Sequence, residues 1–97
     1  MNYRFLTPAL AEIREAAAFY EERVPGLGAD FLDEVDVTME RILSFPEAWG
    51  SIGGRYRRCH LRRSPFSVIY SIRGNEEIVV VSVFHQSREP WSWRENL

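Results

Sequence analysis

Between residues 47 and 54 the rhythm of apolar residues changes from a repeat of about 3.6 to one of about 2, which divides the chain into a helical half and a strand half. Upstream, Leu10, Ile13, Ala17, Tyr20 and Val24 recur at spacings of three and four, and Leu32, Val35, Met39 and Ile42 do the same. Thr7 suits an N-cap and Pro8 the first helical position. Pro25-Gly26-Leu27-Gly28 breaks the first helix, a second begins near Asp30, and Pro46 stops it. Two amphipathic helices joined by a tight loop predict an antiparallel hairpin. Glu12, Glu15, Glu21 and Glu22 are expected on the solvated surface of the first helix, with Asp33, Glu34, Asp36 and Glu40 in the same role on the second.

Residues 47–54 have the Pro-, Gly- and Ser-containing composition of a surface loop. Strands are expected over Arg55 to Leu61, Phe66 to Arg73 and Glu76 to Phe84, with a short first strand over Asn2 to Leu6. Gly74-Asn75 suits a tight hairpin turn. The unbroken run Ile78-Val79-Val80-Val81 reads as a strand covered on both sides or central in the sheet. A turn led by Pro90 and carrying Trp91 and Trp93 is expected to end in a helical turn. The fold class that follows is α+β, in the order β-α-α-β-β-β, with the helical hairpin packed on one face of an antiparallel sheet. The 97 residues make one domain, 1–97.

Charge is unevenly spread although the net value is only −2. Residues 1–50 hold four arginines against ten acidic residues, and residues 51–97 hold eight against four. Every cation is arginine, a side chain that binds carboxylate and phosphate through two parallel bonds and stacks on aromatic rings. Alternation over the second strand sets Tyr56, Arg58, His60 and Arg62 on one face, and Arg57, Cys59 and Leu61 on the other.

The single cysteine, Cys59, has no disulfide partner and is expected as a small buried hydrophobe. No Cys and His cluster at metal-binding spacing, so neither a metal nor a cofactor is expected. No apolar run approaches the ~18 residues of a membrane span, and the N-terminus lacks an export pattern, which together suggest a cytoplasmic protein.

From Tyr56-Arg57-Arg58-Cys59-His60-Leu61-Arg62-Arg63 through Ser64-Pro65-Phe66-Ser67-Val68-Ile69-Tyr70 to Val83-Phe84-His85-Gln86-Ser87-Arg88, preceded by two short helices ending at Phe45-Pro46, the chain resembles the RelE/ParE superfamily. These are toxins of type II toxin–antitoxin pairs. The resemblance implies a cognate antitoxin as partner and one of two targets: the ribosome, where mRNA is cut, or DNA gyrase, which is inhibited. Both stay open, since one fold serves both. A nucleic-acid-binding module without toxicity, or a toxin that has lost its activity, is the alternative.

Cutting RNA through its 2′-hydroxyl requires a proton acceptor, a proton donor for the leaving oxygen and positive charge at the phosphate. Arg58 and His60 stand where the RNA-cleaving members carry two basic residues two apart. His85 is a second acid–base candidate, Arg88 a phosphate clamp, and Trp91 or Trp93 a plane for a base. Tyr56, Arg62 and Arg63 are candidate nucleic-acid or partner contacts. Two positions depart from the RNA-cleaving pattern: Ser67 replaces an arginine, and Trp91 and Trp93 stand where a tyrosine is common. Plainer roles compete with these, namely His85 bonding its own loop, Arg62 and Arg63 pairing with antitoxin or helix acids, and the tryptophans lying as a lid on the sheet. The functional reading requires Arg58, His60, His85 and Arg88 to gather on the sheet face that the helices leave open.

Overall fold

A computed structural model describes residues 1–74 and 76–97, and Asn75 of the expected Gly74-Asn75 turn lies outside the described residues. The elements are β1 (Asn2–Phe5), α1 (Thr7–Arg23), α2 (Leu27–Ser44), β2 (Gly50–Gly53), β3 (Tyr56–His60), β4 (Phe66–Arg73), β5 (Glu77–His85) and a 3-10 turn (Ser92–Asn96). The strands form one sheet in the order β1-β5-β4-β3-β2. The helical pair lies on one face, as the period change predicts.

Two details of the sheet differ from expectation. The sheet is mixed, because β1 runs parallel to β5 while β2 to β5 form an antiparallel meander. The chain leaves β1 through the helices and reaches β5 only after three other strands, and no local turn dictates the direction of that pairing. The second difference is β2, an edge strand within the expected loop. It pairs Gly50 with Arg58 and Ser51 with Arg57, then shifts register before Gly53. With two glycines and one serine among four residues, it has no side-chain alternation to betray it.

The helices begin elsewhere than their sequence signals suggest. Leu6 is the extended N-cap of α1, Thr7 is already helical, and Pro8 sits in the first turn. Ala9, Ile13 and Ala16 are buried, with Ala17 and Tyr20 packed beside them, while Leu10 and Val24 are exposed. α2 starts at Leu27 instead of Asp30, and it buries Phe31 where the stripe predicts Leu32. Gly26 caps it at φ 92°, a left-handed conformation that glycine adopts freely. Gly28 is helical and lies at the crossing with α1, where a Cβ would stand 2.7 Å from the Ala17 carbonyl oxygen. Glu21, expected in solvent, reaches across from α1 to accept from the Gly26 and Gly28 amides at 2.9 and 3.0 Å. It thereby satisfies amide donors that the first turn of α2 leaves without helical partners.

The main core lies between sheet and helices and includes Phe31, Val35, Met39, Ile42, Cys59, Val68, Tyr70, Val80 and Val83. A smaller core occupies the opposite face, where Trp93 of the 3-10 turn covers Ile69, Val81 and Phe84. Trp93 is only 1% exposed, and burying an indole is worth about 3 kcal/mol. β5 supplies both cores through a bulge. Ile69 pairs with Ser82 and Tyr70 with Val80, which leaves Val81 without a partner on β4. The extra residue reverses the alternation, so Ile78 and Val80 face the helices before it and Val83 faces them after it.

Candidate functional site

The face opposite the helices carries a cleft of about 330 Å³ beside the Trp93 lid. Strand alternation sends Cys59 into the helical core and turns Arg58 and His60 into this cleft. Ser67 is the register partner of His60, and its hydroxyl lies 2.6 Å from His60 Nδ1. Gln86, Arg88 and Trp91 from the segment after β5 close the cleft. No carboxylate lines it among the described residues.

His60 is surrounded by positive charge. Partial desolvation lowers its pKa below the usual 6.5, and the guanidinium groups of Arg58 and Arg41 push in the same direction. Arg41 also reaches from α2 to donate to the His60 carbonyl at 3.0 Å. The imidazole is therefore neutral at pH 7, with one ring nitrogen engaged by Ser67 and the other available to a ligand.

Arg88 is fixed by Glu12, a residue expected to be solvated. The Arg88 Nη1 donates to Glu12 Oε2 at 2.9 Å. Glu12 Oε1 accepts from Ser82 Oγ at 2.9 Å, from the Val83 amide at 3.1 Å and from Asn96 Nδ2 at 3.1 Å. The reason lies in the length of β1. Its pairing with β5 ends at Phe5–Val80 and a bond from the Leu6 amide to the Val80 carbonyl, so α1 then passes the bare edge of β5 and places a carboxylate there. One side chain thus joins the first helix, the last strand and the C-terminal segment.

The expected convergence of four residues is realised for three. Arg58, His60 and Arg88 share the cleft, but His85 points to the helical side. It pairs with Phe66 in register and packs edge-on to that ring at 4.9 Å between centroids. The Val81 bulge is the cause, because simple alternation would have placed His85 on the other face. Its Nδ1 accepts from the Ser87 amide at 3.0 Å, the plainer role weighed for it. His85 lines a second groove of about 630 Å³ on the helical side with Glu15, Phe19 and Tyr20 of α1. The Arg88–Glu12 pair borders that groove too, and Arg88 lines the open-face cleft as well.

Arg62 and Arg63 follow the end of β3 and lie with Asp30, Asp33 and Glu34 along a third groove beside α2. Glu34 accepts from the Arg63 amide and from Ser64 Oγ, which pins the β3–β4 connection to the helix. Tyr56 is packed 5.0 Å from Trp93, within the lid and not at the mouth of the cleft. Trp91 is 54% exposed at the rim, with the Arg94 guanidinium 4.7 Å from its ring centre. No sequence signal marks Arg94 or the bridging role of Glu12, whose partners lie at the opposite end of the chain.

Tyr70, the tyrosine that ends the resemblance motif, is buried beneath α2 and donates to the Pro46 carbonyl at 2.6 Å. Burial pushes its pKa up to about 12. The cleft thus offers two guanidinium groups, of which Arg88 is held by Glu12, together with one imidazole and one exposed indole. It can hold an anion with a flat or apolar neighbour, and His60 is its one imidazole, with a pKa held below the usual 6.5. Among the described residues no helix is long and apolar enough to cross a membrane, and no three Cys, His, Asp or Glu side chains gather as a metal site.

A family model described as the ParE toxin of type II toxin-antitoxin system, parDE, matches residues 3–90. Among solved structures, a chain described as the chromosomal ParDE TA system from P. aeruginosa has a similar fold, with a TM-score of 0.65 at 19% sequence identity. The match covers 88% of this chain and 95% of that chain. No curated protein matches in sequence.

Proposed function

Since the chain belongs to the ParE toxin family of type II toxin–antitoxin systems, we propose that it is the toxin of such a pair, is neutralised by a cognate antitoxin, and arrests growth by binding DNA gyrase instead of cutting mRNA. The observation that carries the choice of target is the placement of the two histidines on opposite faces of the sheet. RNA cleavage divides its proton transfers between an acceptor and a donor. His60, neutral among arginines, can accept a proton, but no second titrating group stands beside it in the cleft. Tyr70 is buried and held to the Pro46 carbonyl, so it does not serve as the donor. The net charge of −2 also opposes docking into ribosomal RNA, where phosphate contacts dominate affinity.

Purified toxin added to gyrase and relaxed plasmid is expected to inhibit supercoiling, and mapping of mRNA 5′ ends during induced growth arrest is expected to show intact transcripts. Unchanged supercoiling at saturating toxin, together with cut transcripts, would replace this reading with ribosome-dependent cleavage.

A further inference from the structure

We infer that the open-face cleft is the surface that grips the protein target, seating an acidic side chain between Arg58 and Arg88 and a neighbouring apolar side chain on Trp91. The inference rests on the protein-target reading above and adds the place and chemistry of the contact.

The charge arrangement is the first support. Arg58 has no carboxylate partner within 4.0 Å, since the ion pairs among the described residues are Arg4–Glu77 and Arg88–Glu12. Arg88 gives Glu12 a single nitrogen, and a guanidinium has five N–H donors in a planar fork. The remaining donors are held in place at no further cost in side-chain ordering. His60 adds a ring nitrogen to the same cleft.

The second support is the state of Trp91. It is half exposed, yet its ring is backed by Arg94 at 4.7 Å and stands 6.3 Å from Trp93. A held, exposed indole beside unpaired arginine is the residue combination that dominates protein–protein binding energy. Size and charge favour a side chain over a nucleic-acid strand. The cleft of about 330 Å³ stands at the lower end of ligand pockets, and a molecule of net charge −2 lacks the broad positive field that a polyanion requires.

The test compares wild type with Arg58→Ala and Trp91→Ala, after thermal unfolding has confirmed that each variant is folded. Affinity for purified gyrase is expected to fall about tenfold or more in each variant, with a matching loss of supercoiling inhibition. If both variants inhibit as wild type does, the cleft inference fails and the gyrase reading stands. If wild type leaves gyrase untouched, that reading fails, and the cleft is judged by tryptophan fluorescence with acetyl-Glu-Leu-amide, acetyl-Gln-Leu-amide and a short single-stranded oligonucleotide. A saturating response to the glutamyl probe alone, lost in Arg58→Ala, supports the inference. No response, or a stronger one to the oligonucleotide, overturns it.

Discussion

The Ser67 hydroxyl and the His60 imidazole meet at 2.6 Å across β3 and β4, where the two residues are register partners. The pair sits beside Arg58 and within reach of Arg41, with no carboxylate to favour the charged ring. His60 should therefore titrate below 6.5, and Arg58→Gln should move its midpoint upward. The recovery should be partial, because desolvation is the larger cause. Ring-proton NMR against pH measures both. Equal or lower titration in the variant would contradict the electrostatic account.

The same depression fixes the sign of a stability effect. Well above 6.5 the ring is neutral whether the chain is folded or unfolded, and His60 contributes no pH dependence. As pH falls below 6.5 the unfolded chain takes up the proton first, so folding stability declines until the folded-state midpoint is reached. His60→Gln should flatten that part of the profile. Thermal midpoints between pH 7 and 5 provide the check, and an unchanged slope would argue against it.

Glu12 joins elements that are distant in sequence, and its removal should be felt at all of them. Glu12→Ala leaves the Val83 amide, Ser82 and Arg88 without their shared acceptor, at a cost of about 3 kcal/mol. Glu12→Gln keeps an acceptor and should cost about 1 kcal/mol. Hydrogen exchange at Val83 should quicken in the alanine variant. Unaltered protection there would mean the strand edge does not depend on the carboxylate.

The two helices meet too closely at one point for any side chain. Gly28→Ala would bring a Cβ to 2.7 Å from the Ala17 carbonyl oxygen, and separating the helices should cost about 2 kcal/mol. Glu21, which holds the amides of the same turn, should weaken as a cap in that variant. Denaturant unfolding of Gly28→Ala reports the loss, and a midpoint equal to wild type would refute the crossing geometry.

Trp91 and Trp93 are neighbours of opposite consequence. Trp93→Ala empties the centre of the smaller core and should cost about 4 kcal/mol, whereas Trp91→Ala at the exposed rim should cost about 0.5 kcal/mol. Paired unfolding curves distinguish them.

The layered architecture was legible because Val35, Met39 and Ile42 repeat on one helical face and Cys59 alternates with Arg58 and His60 on a strand. The side of the sheet taken by His85 was not. Val79, Val80 and Val81 are chemically identical, so nothing in the run marks the residue at which alternation reverses. Gly28 misled for a related reason, since a glycine that ends a helix and one that lets two helices touch look alike in sequence. The apolar spacing predicts Leu32 in the stripe although Phe31 is the buried residue, because spacing alone does not fix helical phase to one residue. β2 stayed hidden because its pairing is almost entirely backbone. Glu12 was placed in solvent because its partners, from Ser82 to Asn96, belong to the far end of the chain.

Residues Asn2–Phe5 find their one neighbour in the sheet in Glu77–His85, at the far side of both helices and three strands in sequence. A chain that stops upstream of Glu77 holds both helices and β2 to β4, but it leaves β1 without a mate and the main core without Ile78, Val80 and Val83. Such long-range closure slows folding. It also means that Arg88, held by Glu12 of the first helix, joins Arg58 and His60 only when the two ends of the domain have found each other.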